Sequence, residues 1–334
     1  MPCRGSPAPS QKRTSMDFRI GVIGAGTHGA RYLRHAAQDV PGMAAVALCR
    51  RNQEAAAALA TQVGARPFGE PAELVASPTV DGVIVCTPPS THFPLARLVL
   101  EGGKPLLLEK PLTGTLAEAL ELARLAAGTP VMVAHTLRWN PVIRKARQLW
   151  PRLGRVHHVR LAQRLAPTTL AWQRRPTETV GGSVLLTGVH LFDLARHLTG
   201  REFVAVDCRQ DRILNPVVED FFLARARLDD GCRVSLEVSK YTDSRACWLE
   251  AVGEKGQLFA DYLDSGVLLR EGNAETRFAI SARVPTLPLV LADWLDSVRR
   301  KTPPLVGLPD GVATMRVVDA CYRSAATQAE VLLS

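Results

Sequence analysis

Between Phe18 and Ala134 short apolar runs alternate strictly with helical patterns, and this alternation limits the folds open to the chain more than any other feature. The runs FRIGVI, MAAVALC, GVIVC, PLLLE and PVMVA are rich in Val, Ile and Leu throughout, as strands covered on both faces must be. Between them lie ARYLRHAAQ, QEAAAALATQV, THFPLARLVLEGG and TLAEALELARLAAG, the last opening on Thr115 and Glu118 at capping-box spacing and stopping at Gly128. Strands and helices in this order predict a parallel, doubly wound sheet, because consecutive parallel strands need a crossover connection. After Asn140 the texture changes. A helix (PVIRKARQLW), a strand (RVHHVRLAQRL) and a helix ending at Gly200 (SVLLTGVHLFDLARHL) precede strands in quick succession, joined by turns such as DDG and GEKG. In FLARARLDDGCRVSLEV apolar residues alternate with Arg225, Arg227, Arg233 and Glu237, which predicts an open, mostly antiparallel sheet with one wet face. Two helices, PLVLADWLDSVRRK and DGVATMRVVDACYRSAATQAEVL, close the chain. The fold class is therefore α/β with two domains, residues 17–136 and an α+β domain over 137–334, whose last helix is placed back on the first domain.

Charge and cysteine usage exclude several classes of function. The net charge is +9, but Arg4, Lys12 and Arg13 contribute three of these charges from MPCRGSPAPSQKRTS, a stretch with no acid. Residues 1–16 read as a disordered tail, with Met16 as an alternative start. The remaining positive charge is spread thinly, so anionic small molecules fit better than nucleic acid. Seven scattered cysteines without a CxxC pair read as reduced thiols. No apolar run approaches the ~18 residues of a membrane span, and no signal-peptide core is present, so the expectation is a cytoplasmic protein with no membrane partner.

The first strand runs into GAGTHG, Gly24, Ala25, Gly26, Thr27, His28 and Gly29, a G-x-G-x-x-G at a strand-to-helix turn. Gly24 permits the tight turn, Gly26 admits a pyrophosphate to the backbone and Gly29 brings helix and strand together, while the helix N-terminus faces the anion. At the end of the second strand, where an acid would hold the adenosine ribose hydroxyls, the sequence reads CRRN. Arg50 and Arg51 suit a 2′-phosphate instead, so NADP is the expected cofactor with NAD as the alternative.

Ligands of doubly wound sheets lie beyond the carboxyl ends of the strands. Lys110, in LLLEKPL, ends such a strand and is expected to face the nicotinamide. Burial there disfavours its charged form, so it can move a proton near neutral pH. The Lys110–Pro111 bond is a candidate for the cis form, and Glu109 suits ribose hydroxyls. Thr87, Pro88 and His92 are placed at the nicotinamide ribose, with His92 alternatively a helix cap. Arg138 and Trp139 form a substrate-pocket pair, or Trp139 fills the core. Trp172 belongs to a segment, AWQRRPTETVGG, expected to cover the pocket. Adjacent His157 and His158 point to opposite faces of a strand and form no joint site.

GAGTHG, CTPPSTH, EKP, LRWNP and GGSVLLTGVHLFD resemble, in order and spacing, the glucose-fructose oxidoreductase, inositol dehydrogenase and rhizopine-catabolism family, Gfo/Idh/MocA. The resemblance implies a Rossmann domain, followed by a sheet that joins subunits as a homodimer or homotetramer, and oxidation or reduction of sugars, inositols and related polyols with NAD(P). It also implies a catalytic trio of the EKP lysine with an acid and a histidine of D-x-G-x-H. Here Gly188 and His190 match, but Leu186 stands in the acid's place. Lys110 and His190 are thus expected to share the acid/base task, with Asp193 orienting His190 or holding a substrate hydroxyl. His190, Asp193 and His197 also have helical spacing for a metal, but the reading assigns none. Two alternatives remain: redox-assisted elimination or hydrolysis with retained cofactor, and a dinucleotide-binding sensor or partner protein without turnover because of Leu186.

Overall fold

The computed structural model describes residues 17–126, 128–175, 178–263, 266–280 and 284–333, so the segment read as a tail lies outside the described residues. Six strands, β1 (Phe18–Ile23), β2 (Met43–Cys49), β3 (Arg66–Phe68), β4 (Gly82–Val85), β5 (Leu106–Leu108) and β6 (Val131–Val133), form an all-parallel sheet in the order β3-β2-β1-β4-β5-β6. The order reverses between β1 and β4, which opens a crevice at the carboxyl ends of those strands. Every residue of β4, β5 and β6 is buried, as the continuous apolar runs require.

Helices α1 (Thr27–Gln38), α2 (Gln53–Val63), α3 (Pro71–Ala76), α4 (His92–Glu101) and α5 (Leu116–Leu125) make the crossovers. Asn52 caps α2 by accepting from the Ala55 amide, and Gly64 ends it at φ +66°. Thr115 and Glu118 form the reciprocal capping box at the start of α5. The sequence reading omitted β3 and α3. The first is a three-residue edge strand, RPF, with only Phe68 buried, and the second is a six-residue helix; neither is long enough to show a period.

The second half builds a nine-stranded sheet. Helix α6 (Pro141–Leu149) leads to β7 (Val156–Arg164), and α7 (Val189–Thr199) precedes β8 (Phe203–Asp211), β9 (Phe221–Leu228), β10 (Arg233–Ser239), β11 (Ala246–Gly253), β12 (Gln257–Asp261), β13 (Gly266–Glu271) and β14 (Ala274–Ala279). With β15 (Val331–Leu332) the order is β14-β13-β12-β11-β7-β10-β9-β8-β15, and only β7 and β10 pair in parallel. In β9 buried Phe222, Ala224, Ala226 and Leu228 alternate with less buried positions, including exposed Leu223 and Arg225. The sequence pattern missed β14, a mostly exposed edge strand, and β15: Gln328 at φ +55° stops the last helix, and the chain turns to pair with β8.

Two late helices, α8 (Thr286–Arg300) and α9 (Leu308–Thr327), return to the first sheet. Trp294 of α8 is fully buried edge-on to Phe18, with ring centroids 5.4 Å apart. A Cβ on Gly311 of α9 would meet Leu112 at 3.0 Å and Val133 at 3.1 Å, so that helix lies directly on the strand-end loops. The Val133 amide donates to the Val306 carbonyl at 3.0 Å. The strand ends of the first sheet thus meet helices of the second half, and the crevice is bounded by both.

Candidate active site

The glycine turn has the geometry that a bound pyrophosphate needs. Gly24 sits at φ +88°, and a Cβ there would lie 2.5 Å from the Cys86 carbonyl oxygen; on Gly29 it would lie 2.3 Å from the Gly24 oxygen. On Gly26 it would meet open space, and no side chain caps the N-terminus of α1. Two glycines are therefore required by packing, and the third leaves the helix amides open to an anion. Ala25 is buried beneath the turn and Thr27 is exposed. This cradle fits a dinucleotide. Beyond β2, Arg50 is half-exposed, and the Arg51 guanidinium is 85% exposed and 3.9 Å from Glu178. Asn52 is occupied as the α2 cap, so the Cys49–Asn52 stretch offers no carboxylate to a ribose.

Several predicted contacts prove to be internal supports. Glu109 is buried, and its Oε1 accepts from Tyr32 Oη at 2.7 Å and pairs with His28 Nε2 at 2.8 Å; Oε2 accepts from the Lys110 amide at 3.1 Å. Burial alone would raise its pKa, but His28, Lys110 and Tyr32 outweigh burial and hold it below the usual range. Glu109 and His28 therefore brace the turn, with much of the carboxylate already engaged. His92 was expected at the nicotinamide ribose or as a helix cap; both of its ring nitrogens are engaged within the protein. It is fully buried, with Nδ1 2.8 Å from the Pro111 oxygen and Nε2 2.8 Å from the Thr87 oxygen, and it ties the β4 loop to the EKP turn. Thr87 and Pro88 stand in that loop, where Thr91 donates to the Thr87 hydroxyl at 2.8 Å.

Arg138 and Asp193, expected in the substrate pocket, are instead buried and paired with each other. Arg138 is 7% exposed and Asp193 1%. Arg138 Nε donates to Asp193 at 2.9 Å and Nη2 at 2.6 Å; Arg138 also donates to Asp310 at 2.7 Å and to the Leu305 carbonyl at 3.1 Å. The group pins the start of α9 and the segment after β6 to α7. Asp193, committed there, does not orient His190, whose Nδ1 is buried with no partner among the described residues. Trp139 is 2% exposed and fills the core. Trp172 is half-buried in a short 3-10 turn, Ala171–Arg174, whose Gln173 and Arg174 line the cleft described below. Of the covering segment, Pro176 and Thr177 lie outside the described residues.

Lys110 and His190 are brought to one place. The Lys110–Pro111 bond is cis, and Lys110 Nζ donates to the Leu186 carbonyl at 2.8 Å. Leu186 lies in a π-helical turn, Val184–Gly188, that opens directly into α7. Such wide turns are frequent at functional sites because they displace the regular hydrogen-bond ladder. Burial lowers the Lys110 pKa below the ordinary lysine value, with Glu109 and Cys86 opposing. Burial likewise pushes His190 well below its usual range, helped by Lys110, His135 and Lys240, so its imidazole is neutral near pH 7.

Three residues of the site went unremarked in the sequence. His135 is fully buried, with its ring edge-on to His190 at 6.2 Å and neither nitrogen partnered among the described residues. Lys240, immediately after β10, feels both Lys110 and His190. Burial first, then Lys110, lowers its pKa to about 7, against Glu219 and Asp220. Ser183 is fully buried, with its hydroxyl unpartnered among the described residues. Ser183, Leu186 and Lys240 line one narrow, open cleft with residues of the 167–174 and 214–220 loops. Local pattern could not reveal Lys240, which lies 130 positions from Lys110 in the chain.

Two sequence models of one oxidoreductase family match this chain. The NAD-binding Rossmann model covers residues 18–136 and the C-terminal alpha/beta model covers 151–333. The chain belongs to the Gfo/Idh/MocA oxidoreductases. Among family relatives, inositol 2-dehydrogenase 1 of Saccharopolyspora erythraea is 30% identical over 92% of this chain and 94% of that enzyme. GenD2 from gentamicin A biosynthesis, solved with NAD, is 26% identical with a TM-score of 0.86 over 98% of this chain and all of that one. A levoglucosan dehydrogenase solved with NADH and L-sorbose shares the fold at 20% identity, with a TM-score of 0.87 over 96% of this chain and 99% of that one. The resemblance drawn from EKP and Gly-x-His thus identified the family, and both sheets follow its architecture.

Proposed function

We propose that this chain is a dehydrogenase that interconverts a secondary hydroxyl and a carbonyl on a sugar-like polyol, with Lys110 and His190 handling the proton. When bound, the dinucleotide supplies the hydride acceptor in oxidation and the donor in reduction. The observation that carries the reading is the meeting of Lys110 Nζ, at the tip of β5, with the π turn that presents His190. In oxidation the neutral Lys110 amine accepts the hydroxyl proton as the carbon gives up its hydride. Its hydrogen bond to the Leu186 carbonyl fixes the direction of its lone pair. The neutral His190 imidazole donates to the substrate oxygen and positions it. The relatives named for inositol and the neighbour named for levoglucosan support a polyol or sugar.

The Arg50–Arg51 loop supports NADP over NAD, since the Cys49–Asn52 stretch after β2 carries two guanidinium groups and no carboxylate of its own to hold a ribose 2′-hydroxyl. Cofactor fluorescence during titration with NADPH and NADH, followed by a polyol panel read by cofactor absorbance, tests both parts. Turnover with a polyol supports the reading. Cofactor binding without net reduction or oxidation of any polyol overturns it, and product formed at constant cofactor redox state would point to elimination or hydrolysis instead.

A further inference from the structure

The cleft beside Lys110 holds a cation, Lys240, with no ion-pair partner among the described residues. Lys240 feels Glu219 and Asp220 through space, and its amide donates to the Asp220 carbonyl at 2.8 Å, but among the described residues neither carboxylate bonds to its ammonium. Both acids are engaged elsewhere. Glu219 Oε1 accepts from the Gly182 amide at 3.1 Å, the Val184 amide at 3.0 Å and Tyr322 Oη at 2.9 Å. Asp220 accepts from the amides of Ile213, Leu214 and Asn215 at 2.7, 2.6 and 2.7 Å. Beside Lys240 the Ser183 hydroxyl is fully buried with no partner among the described residues, and Arg174 lines the same cleft. Position 186, on the cleft wall, is leucine, so no carboxylate there neutralises Lys240.

We infer that the substrate is a sugar acid, whose carboxylate is received by Lys240 and Ser183 while its hydroxyl-bearing carbon is presented to Lys110. Burial penalises an ammonium without a counter-ion, and the neighbouring Lys110 adds repulsion; a bound carboxylate relieves both. A hydroxyl donor and a lysine suit a monoanionic carboxylate, and the phosphate arm of the test below decides whether Arg174 at the lining adds a preference for a dianion. Lys240 is thus a specificity residue for the reaction proposed above, and the inference rests on that reading for the position of the reacting carbon.

Matched pairs test it: gluconate against glucitol and glucuronate against glucose, with glucose 6-phosphate as the phosphate arm. Each is titrated calorimetrically onto the full chain saturated with NADP and also assayed for cofactor reduction. The expected result is at least tenfold tighter binding of the carboxylate member of a pair. Lys240→Met should reduce the carboxylate-to-neutral ratio at least tenfold, and Lys240→Arg should retain it. Equal binding within each pair, no measurable binding of either member, a preference for the phosphate, or a ratio untouched by Lys240→Met each overturns the inference. Turnover of neutral polyols without a charge preference would sink this inference alone. Carboxylate binding through Lys240 without turnover would leave the inference standing and sink the dehydrogenase reading.

Discussion

Replacing Arg138 with methionine distinguishes a structural pin from a substrate ligand. The guanidinium is the partner of Asp193, a carboxylate 1% exposed, and it also serves Asp310 and the Leu305 carbonyl. Asp310 keeps other support, because Arg196 lies 3.2 Å away and the Gly307 amide donates to it at 3.1 Å. Asp193 loses every ion-pair partner recorded for it. Removing one member of a buried ion pair leaves an uncompensated charge and costs about 3–5 kcal/mol. For 334 residues the unfolding entropy is on the order of 0.7 kcal/mol per kelvin near 60 °C, so about 4 kcal/mol lowers Tm by about 6 °C. Arg138→Met combined with Asp193→Leu removes both charges and should recover most of the loss, because apolar replacements of a buried pair are often neutral. Thermal unfolding followed by circular dichroism measures both, and substrate KM on the surviving folded fraction should stay within about twofold. A single-variant cost below about 1 kcal/mol, or a double variant no more stable than the single, would refute the pin.

Other perturbations probe the cofactor turn and the proton path. Gly29→Ala forces a Cβ to 2.3 Å from the Gly24 oxygen and should abolish dinucleotide binding with measurable destabilisation, whereas Gly26→Ala, facing open space, should leave Tm unchanged yet weaken cofactor binding; fluorescence titration and thermal melts read the two effects. Lys110→Met should reduce kcat about 10²–10⁴-fold while cofactor fluorescence titration stays near wild type. Oxidation needs neutral Lys110, so kcat/KM should rise with pH through a pKa below the ordinary lysine value; Glu109 raises that pKa, so Glu109→Gln should move the acid limb to lower pH, and a shift the other way would contradict the assignment. Arg50→Asp should reverse the NADP-over-NAD ratio of kcat/KM by at least about tenfold if the β2 loop selects the 2′-phosphate.

Features with a local physical cause were legible in the sequence. Strand β5 is three leucines because both of its faces are covered, and the turn after β1 needs glycine because any Cβ at Gly24 or Gly29 strikes backbone. Asn52 and Thr115 cap helices through hydrogen bonds that span only three residues. What escaped was either short and exposed, as in β3 and β14, or long in sequence separation. Helix α7 looked continuous because Val184–Gly188 is mostly apolar and carries no breaker signal before Gly188, and such composition does not distinguish a π turn from an α turn.

One assigned residue and one unremarked residue show the same limit. Arg138 and Lys240 are both cations near the crevice, and nothing local tells which of them is available to a ligand. Arg138 has partners 55 and 172 positions away, so its charge is satisfied inside the protein and its position serves packing. Lys240 has two acids within electrostatic reach, but those carboxylates already accept from six donors of the chain's own, five of them backbone amides. A charge is free for function only where tertiary structure has failed to pair it, and that is a property of the folded contacts. Asp193 supplies the converse: placed three residues from His190 on one helix it resembles a relay partner, yet Arg138, from outside that helix, holds it instead.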